Sequence, residues 1–124
     1  MPARLRIAPA ADVSAALGRV ADDGDAADRA DLRLLVKHFL AVLESRAPGA
    51  SVEVRVPPYA AVQVIAGVRH TRGTPPAVVE LDAVTWVGLA TGELTWAQAL
   101  ASGRVSASGE RTDLTTYLPL HQPG

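Results

Sequence analysis

The sequence predicts an α+β domain in which a sheet of about four or five strands is covered by helices on one face. Residues 51–56 place valines at alternate positions, which is typical of a strand with one buried and one wet face. Apolar residues between Leu32 and Leu43 repeat at the spacings of a helix with a wide buried stripe. Residues 78–109 then follow the order strand, helix, turn, helix, strand. With 124 residues, the chain is long enough for one domain with a sizeable core.

The N-terminal part of the chain predicts a lead, a first helix and a turn. Residues 1–9 contain two prolines, which indicates an extended and flexible lead. Residues 10–22 form a helical pattern with one apolar face, made by Val13, Leu17 and Val20. The acidic turn that follows, residues 22–28, does not have the ligand spacing of a calcium loop, so helix capping and solvation explain its carboxylates.

The strongest helix signal begins at Asp28 or Asp31, where a carboxylate can cap the first turn. Pro48 and Gly49 end this helix, because proline cannot continue a helix and glycine allows the chain to reverse. His38 lies opposite most of the apolar stripe, and we interpret it as a surface or boundary residue.

Two strands follow and predict a β-hairpin. The first, residues 51–56, ends at Pro57 and Pro58, because neither proline can donate a hydrogen bond to a neighbouring strand. The second, residues 59–66, turns its alternate valines to one side and ends at Gly67.

A polar cluster at residues 69–76 has two interpretations. Arg69, His70 and Arg72 stand beside Gly73, so guanidinium groups and backbone N–H groups could together hold a carboxylate or a phosphate. Alternatively, the cluster is a rigid connection, because Gly73 is a natural turn residue and two prolines force an extended lead into the next strand. The cluster lacks the lysine of a phosphate-binding loop.

The stretch from 78 to 109 marks each of its junctions with a suitable residue. Asp82 follows the β-branched strand at Val78–Leu81 and can cap a short helix. Gly92 supplies the left-handed residue that ends this helix, since glycine adopts that conformation at little cost.

A second short helix and a last strand complete this stretch. Thr95 and Gln98 have the spacing of a capping box, and Gly103 ends the helix that they start. Residues 104–108 alternate polar with apolar side chains, as a half-buried strand does, and Gly109 ends them.

This order of features resembles the C-terminal half of sterol carrier protein domains, where an acidic residue follows a strand and two glycine-containing motifs come after it. The matching residues here are Asp82, Leu89, Ala90, Thr91, Gly92, Leu94, Ala99, Gly103, Val105 and Gly109. Residues 54–76 look like the corresponding part of the small bacterial orthologues, so the resemblance covers residues 50–120. It implies a mixed, mainly antiparallel sheet roofed by helices over an apolar tunnel that holds a lipid or a similar ligand.

The C-terminal residues predict one more element. Thr112 or Asp113 caps a last short helix that carries Leu114, Tyr117 and Leu118, and Pro119 ends it. If the family's architecture holds, this helix covers the open end of the tunnel. Residues 120–124 predict a tail.

Composition excludes several classes of function. The formal net charge is −1 with both signs interspersed, so no basic field attracts nucleic acid. The absence of cysteine excludes thiol nucleophiles, disulfides and thiolate metal sites. No apolar run approaches the ~20 residues of a membrane-spanning helix, so we expect a soluble, cytoplasmic protein without stable membrane insertion. The bias towards Ala, Val and Arg fits a GC-rich bacterial genome.

Catalytic patterns are absent from the sequence, whereas apolar inward positions are plentiful. There is no nucleophile elbow, zinc-protease motif, phosphate loop or dinucleotide fingerprint, and the three histidines fall in separate elements. We therefore expect no enzymatic activity, no metal and no cofactor. The candidates to line an apolar pocket are Val62, Val64, Val79, Leu81, Trp86, Val87, Trp96, Leu100, Val105 and Leu118. The same residues would also serve as an ordinary filled core.

Three functions remain open on the sequence alone. The resemblance implies a carrier for an apolar ligand, such as a sterol-like molecule, a fatty acid or an acyl thioester, with Arg69, His70 and Arg72 as a candidate head-group site. A second is an interaction or regulatory module that forms a homodimer or binds a partner enzyme through a strand edge or a helix face. The third is an enzyme in which His70 acts as an acid beside the two arginines.

Overall fold

The computed structural model describes residues 5–67, 77–109 and 112–121. Its helices and strands in chain order are α1 (Ala10–Asp23), α2 (Arg29–Arg46), β1 (Val52–Val56), β2 (Ala60–Val64), β3 (Ala77–Leu81), α3 (Ala83–Thr91), α4 (Trp96–Ala101) and β4 (Val105–Ser108). Short 3-10 helices lie at Gly24–Ala26 and Thr115–Tyr117. The predicted elements are thus present within a few residues of their expected bounds.

Within the described ranges, the sheet has four strands in the order β2-β1-β3-β4. The β1–β2 hairpin and the β3–β4 pair are antiparallel, whereas β1 and β3 run parallel. The connection from β2 to β3 includes residues 68–76, which lie outside the described residues. The α+β class and the mixed, mainly antiparallel sheet are confirmed.

The alternation in β1 decides which face of the sheet is buried. Val52, Val54 and Val56 are fully buried, while Glu53 and Arg55 point to the opposite face and form an ion pair there. Helix α2 packs on β2 and also contacts α1 and α3. Its apolar stripe, from Leu32 to Leu43, lies in the same core as the β1 valines. The helices therefore cover the valine face, as predicted.

The predicted helix caps are confirmed by their hydrogen bonds. The carboxylate of Asp82 accepts a hydrogen bond from the Thr85 N–H at 2.7 Å, and Gly92 ends α3 with φ of 87°. At α4, the Gln98 N–H donates to the Thr95 hydroxyl at 3.1 Å, and the Thr95 N–H donates to the Gln98 side chain at 2.9 Å. Each cap satisfies backbone groups that a helix end leaves without partners.

The C-terminal segment differs from the prediction. The expected short helix is a single 3-10 turn, Thr115–Tyr117, and does not extend to Leu118. Leu120, which the sequence placed in a tail, is only 2% exposed, and its N–H donates to the Ala90 carbonyl at 2.8 Å. The His121 N–H donates to the same carbonyl at 2.9 Å. The burial of Leu120 could not be predicted, because a single leucine forms no periodic pattern. Its side chain fills the core while its backbone N–H is hydrogen-bonded to the end of α3.

A close backbone approach joins the α2–β1 turn to the end of β2. Ile65 has a φ of 68°, which is unusual for a β-branched residue. Its N–H donates to the Ala47 carbonyl at 2.6 Å, and its carbonyl accepts the Ser51 N–H at 3.0 Å and the Ser51 hydroxyl at 2.7 Å. A Cβ at Gly49 would overlap the backbone of Ile65. Glycine at 49 is therefore needed for contact as well as for chain reversal.

We expect Gly49→Ala to lower the free energy of unfolding by about 1–3 kcal/mol, because its methyl group must displace backbone. Gly18→Ala is the matched control, since a Cβ at Gly18 in α1 meets nothing within 4 Å. That control should gain about 0.5–1 kcal/mol, as alanine does over glycine inside a helix. Urea denaturation measures both, and equal effects of the two substitutions would contradict the close approach.

Candidate functional site

Most of the predicted pocket residues lie in the hydrophobic core. The buried ones are Val62, Val64, Val79, Leu81, Trp86, Val87, Trp96 and Val105. Leu118 is partly buried and packs against the same cluster. The indole N–H of Trp86 points to the Val36 carbonyl at 3.4 Å, so Trp86 joins α3 to α2. The role of these predicted pocket residues in ligand binding stays a prediction.

Leu100 is an exception to the predicted inward set, because it is 45% exposed. Helix α4 buries Trp96 and Ala99. Leu100 follows Ala99 and is turned about 100° from it around the helix axis, so it leaves the buried edge. The apolar pattern of a helix this short does not fix which edge faces the core.

A groove of about 450 Å³ separates α1 from α3. Its α1 side is made by Leu17, Gly18, Val20, Ala21 and Gly24. Its opposite side is made by Val84, Val87, Gly88, Thr91 and the following Glu93. Val84 is 40% exposed, so the groove presents apolar surface that the fold itself leaves uncovered. Of the predicted pocket residues, Val87 lines this groove.

Position 18 of α1 contributes no side chain to this groove. A Cβ on Gly18 would meet no atom within 4 Å, whereas one on Gly88 across the groove would lie 3.3 Å from Leu94. The Gly18 backbone therefore borders empty space that most side chains would fill. In the sequence, Gly18 indicated only a lower stability of the first helix. Its position in the middle of a helical pattern, where no turn requires a glycine, was the signal that could have pointed to the groove.

The polar groups of this groove lie at the C-terminal end of α3. The Thr91 hydroxyl is 3.0 Å from the Val87 carbonyl and 3.2 Å from the Gly88 carbonyl, to which it donates. Glu93 is exposed just after the helix ends. The groove thus combines an apolar body with a polar rim, which is the usual composition of a small-molecule site.

A second, more polar concavity of about 580 Å³ lies beside the N-terminal lead. One wall is formed by Leu5, Arg6 and Ile7, and the other includes Glu44, Ser45 and Gln63. Leu5 and Ala8 pack partly against the core, so the described part of the lead, residues 5–9, is attached rather than loose.

His38 attaches this lead, which corrects its prediction as a surface or boundary residue. His38 is only 9% exposed, and the Ala8 N–H donates to its Nδ1 at 2.9 Å. Since an N–H can only donate, Nδ1 must be unprotonated in this arrangement. Burial, and secondarily the nearby His121, lower the pKa of His38 below its ordinary value. The helical pattern of α2 could not predict this burial of His38, because its partner Ala8 belongs to the distant N-terminal lead.

Arg69, His70 and Arg72 lie outside the described residues. In the part of the chain that the structure describes, no cluster of histidine and carboxylate side chains is arranged to hold a metal ion. Within the same ranges, no helix combines the length and the hydropathy needed to cross a bilayer.

Comparison with protein families supports the resemblance seen in the sequence. A family model described as "Bacterial SCP ortholog" matches residues 28–120, which include every helix and strand from α2 to β4. Comparison with curated proteins finds no match. Helix α1, which makes one side of the groove, precedes the matched range.

We expect acid to destabilise the fold through His38. Because its folded-state pKa is lowered, the unfolded chain binds the proton more readily. This contribution to stability is complete above the ordinary value of 6.5 and is lost as the pH falls through the folded-state pKa. His38→Asn keeps an acceptor near the Nδ1 position but does not titrate, so its thermal midpoint should fall less between about pH 7 and about pH 5.

Circular dichroism melts of both proteins measure this difference, and His121→Asn, which removes only the lesser cause of the lowered His38 pKa, should keep most of the pH dependence. Parallel pH profiles for the original chain and His38→Asn would contradict the assignment. Loss of protection of the Ala8 amide against hydrogen exchange at the lower pH would report the broken contact directly.

Proposed function

The chain belongs to the family of bacterial sterol carrier protein orthologues, and on that premise we propose that it is a non-catalytic, cytoplasmic carrier of an apolar small molecule. The proposed site is the groove between α1 and α3. The observation that carries this proposal is the uncovered apolar surface of that groove, above all Val84, which is 40% exposed.

The size and the lining of the groove support this function. A volume of about 450 Å³ lies within the roughly 300–1,000 Å³ typical of small-molecule pockets. Burying apolar ligand surface against Val84 and the partly exposed Leu17 and Val20 would contribute about 25 cal/mol per Å² removed from water. The fold gains nothing of its own from leaving Val84 exposed.

The ligand classes that fit this proposal are a sterol-like molecule, a fatty acid and an acyl thioester. Arg69, His70 and Arg72 remain candidates for an anionic head group, because guanidinium groups match carboxylates and phosphates. Val62, Val64, Val79 and the other core candidates would take part only if a ligand opened the packed interior, in which Val64 and Val79 are fully buried.

We expect Gly18→Leu to lower the affinity for an apolar ligand by about tenfold or more. The leucine side chain would occupy space that the ligand needs, and each displaced methylene costs about 0.8 kcal/mol of burial. Ala15→Leu, at an exposed position of the same helix that does not line the groove, is the matched control. Isothermal titration with sterols, fatty acids and acyl thioesters measures both variants.

Native mass spectrometry of the purified protein, followed by organic extraction, tests the same proposal without a chosen ligand. A co-purifying apolar molecule that disappears in Gly18→Leu but not in Ala15→Leu is the expected result. Equal ligand loss in both variants would reject the groove as the site, and no binding in any assay would reject the carrier function.

An interaction module is the second candidate, and Leu100 is the observation that favours it. Leu100 is exposed on α4, which packs beside β4. In the described residues, β4 is the last strand of the sheet, so its outer edge has no strand partner. An apolar side chain near an open strand edge fits a homodimer or a partner enzyme.

If this second function is correct, analytical ultracentrifugation should show a dimer whose population rises with protein concentration. Leu100→Glu should shift it to the monomer, because a carboxylate is costly to bury in an interface. Ala15→Glu adds the same charge to exposed α1 and should leave the dimer intact. A monomer at all concentrations would exclude self-association.

A further inference from the structure

The groove between α1 and α3 has a chemical bias at its polar end, because its side chains accept hydrogen bonds and do not offer them. The Thr91 hydroxyl hydrogen is directed at the carbonyls of Val87 and Gly88, so towards a ligand this oxygen can only accept. Glu93 offers carboxylate oxygens, which are acceptors as well. A ligand head group that donates hydrogen bonds would satisfy both.

The charges around the groove also favour a head group that donates hydrogen bonds, because they are negative. Among the described residues that line it, none is a lysine, an arginine or a histidine, whereas Glu93 is acidic. The last turns of α1 and α3 both contribute to the lining, and neither of these turns contains a basic residue. Helix C-terminal ends carry a partial negative charge, which favours a nearby cation and disfavours an anion.

Neighbouring charges strengthen this field and do not offset it. Asp22 and Asp23 are exposed at the end of α1, directly before the groove residue Gly24. Arg19, the basic residue nearest in sequence, is held away by two hydrogen bonds of 2.9 Å to the Asp31 carboxylate. Its charge is therefore paired with α2 and is not available to a ligand in the groove.

We propose that the groove between α1 and α3 selects a cationic amphiphile, in which an alkyl chain lies along Leu17, Val20 and Val87 while a protonated amine contacts Glu93 and Thr91. This selectivity rests on the proposed carrier function and adds a further ligand class, the amines, to those named above. In this groove, an amine head is preferred to the alcohol of a sterol-like ligand, and the alcohol is preferred to the carboxylate of a fatty acid. The proposal concerns this groove alone and assigns nothing to Arg69, His70 and Arg72.

The test compares three probes with the same alkyl chain, namely dodecylamine, dodecanol and dodecanoate. The two charged probes are kept below their micelle concentrations and dodecanol is kept below its solubility limit. Isothermal titration near neutral pH and at low salt should give an affinity for the amine about two- to fivefold above that for the alcohol, the range expected for one exposed charge pair. Dodecanoate should bind more weakly than the alcohol. Added salt should reduce the differences, because it screens charges at a surface.

Glu93→Gln should remove most of the preference for the amine over dodecanol, because a neutral amide can still accept a hydrogen bond but carries no charge to attract an ammonium group. Glu80→Gln is the matched control, since it neutralises an exposed carboxylate on β3, away from the groove lining. Both substitutions are at exposed positions, and circular dichroism melts verify that each variant is folded.

Retention of the amine preference in Glu80→Gln together with its loss in Glu93→Gln would support the proposal. Equal affinities for the three probes, or tightest binding of dodecanoate, would overturn it. If that binding were still lost in Gly18→Leu, the carrier function would stand without the cationic selectivity. Failure of all three probes to bind would overturn the selectivity and the carrier function together.

Discussion

The packing of α2 against the valine face of the sheet is the interaction on which the rest of the structure depends. Leu35, Phe39 and Leu40 are fully buried, as are the valines of β1. The same helix contacts α1 and α3, so it connects the helical layer to the sheet. Removing large apolar side chains from such a helix would leave cavities on more than one side, which is the costly kind of core change.

The dependence of α1 on α2 explains why a groove exists at all. Helix α1 buries only Val13 and Ala16, and its ion pair to α2 runs from Arg19 to Asp31. These contacts fix one side of α1, while the side that carries Leu17 and Val20 is only partly covered. Gly18 contributes no side chain to the gap between α1 and α3, so the space that a larger residue would fill stays open there.

The segments at the two ends of the described chain are held by backbone hydrogen bonds to the helices. The lead is attached where the Ala8 N–H meets the buried imidazole of His38, and the C-terminal segment is attached where Leu120 and His121 donate to the Ala90 carbonyl. His121 also contacts Phe39 edge-to-face, which brings both histidines to the same residue of α2. Polar groups in this region are thus paired even where the surrounding side chains are apolar, as buried polar atoms require.

Features that arise within a few residues could be predicted from the sequence: the caps at Asp82, Thr95 and Gln98, the left-handed end at Gly92, and the buried face of β1. Local hydrogen bonds and side-chain periodicity carry these, so no distant contact is needed to predict them. The β1–β2 hairpin and the family resemblance followed from the same patterns, whereas the parallel pairing of β1 with β3 did not.

The exposure of Leu100, the burial of His38 and Leu120, and the groove beside Gly18 became visible only in the folded structure. The last three depend on parts of the chain that are distant in sequence: Ala8 for His38, Ala90 for Leu120, and α3 for the groove. An apolar pattern predicts which side chains are buried, but it does not predict the distance between two packed helices. That spacing is set by packing, and it separates a filled core from a site that can take a ligand.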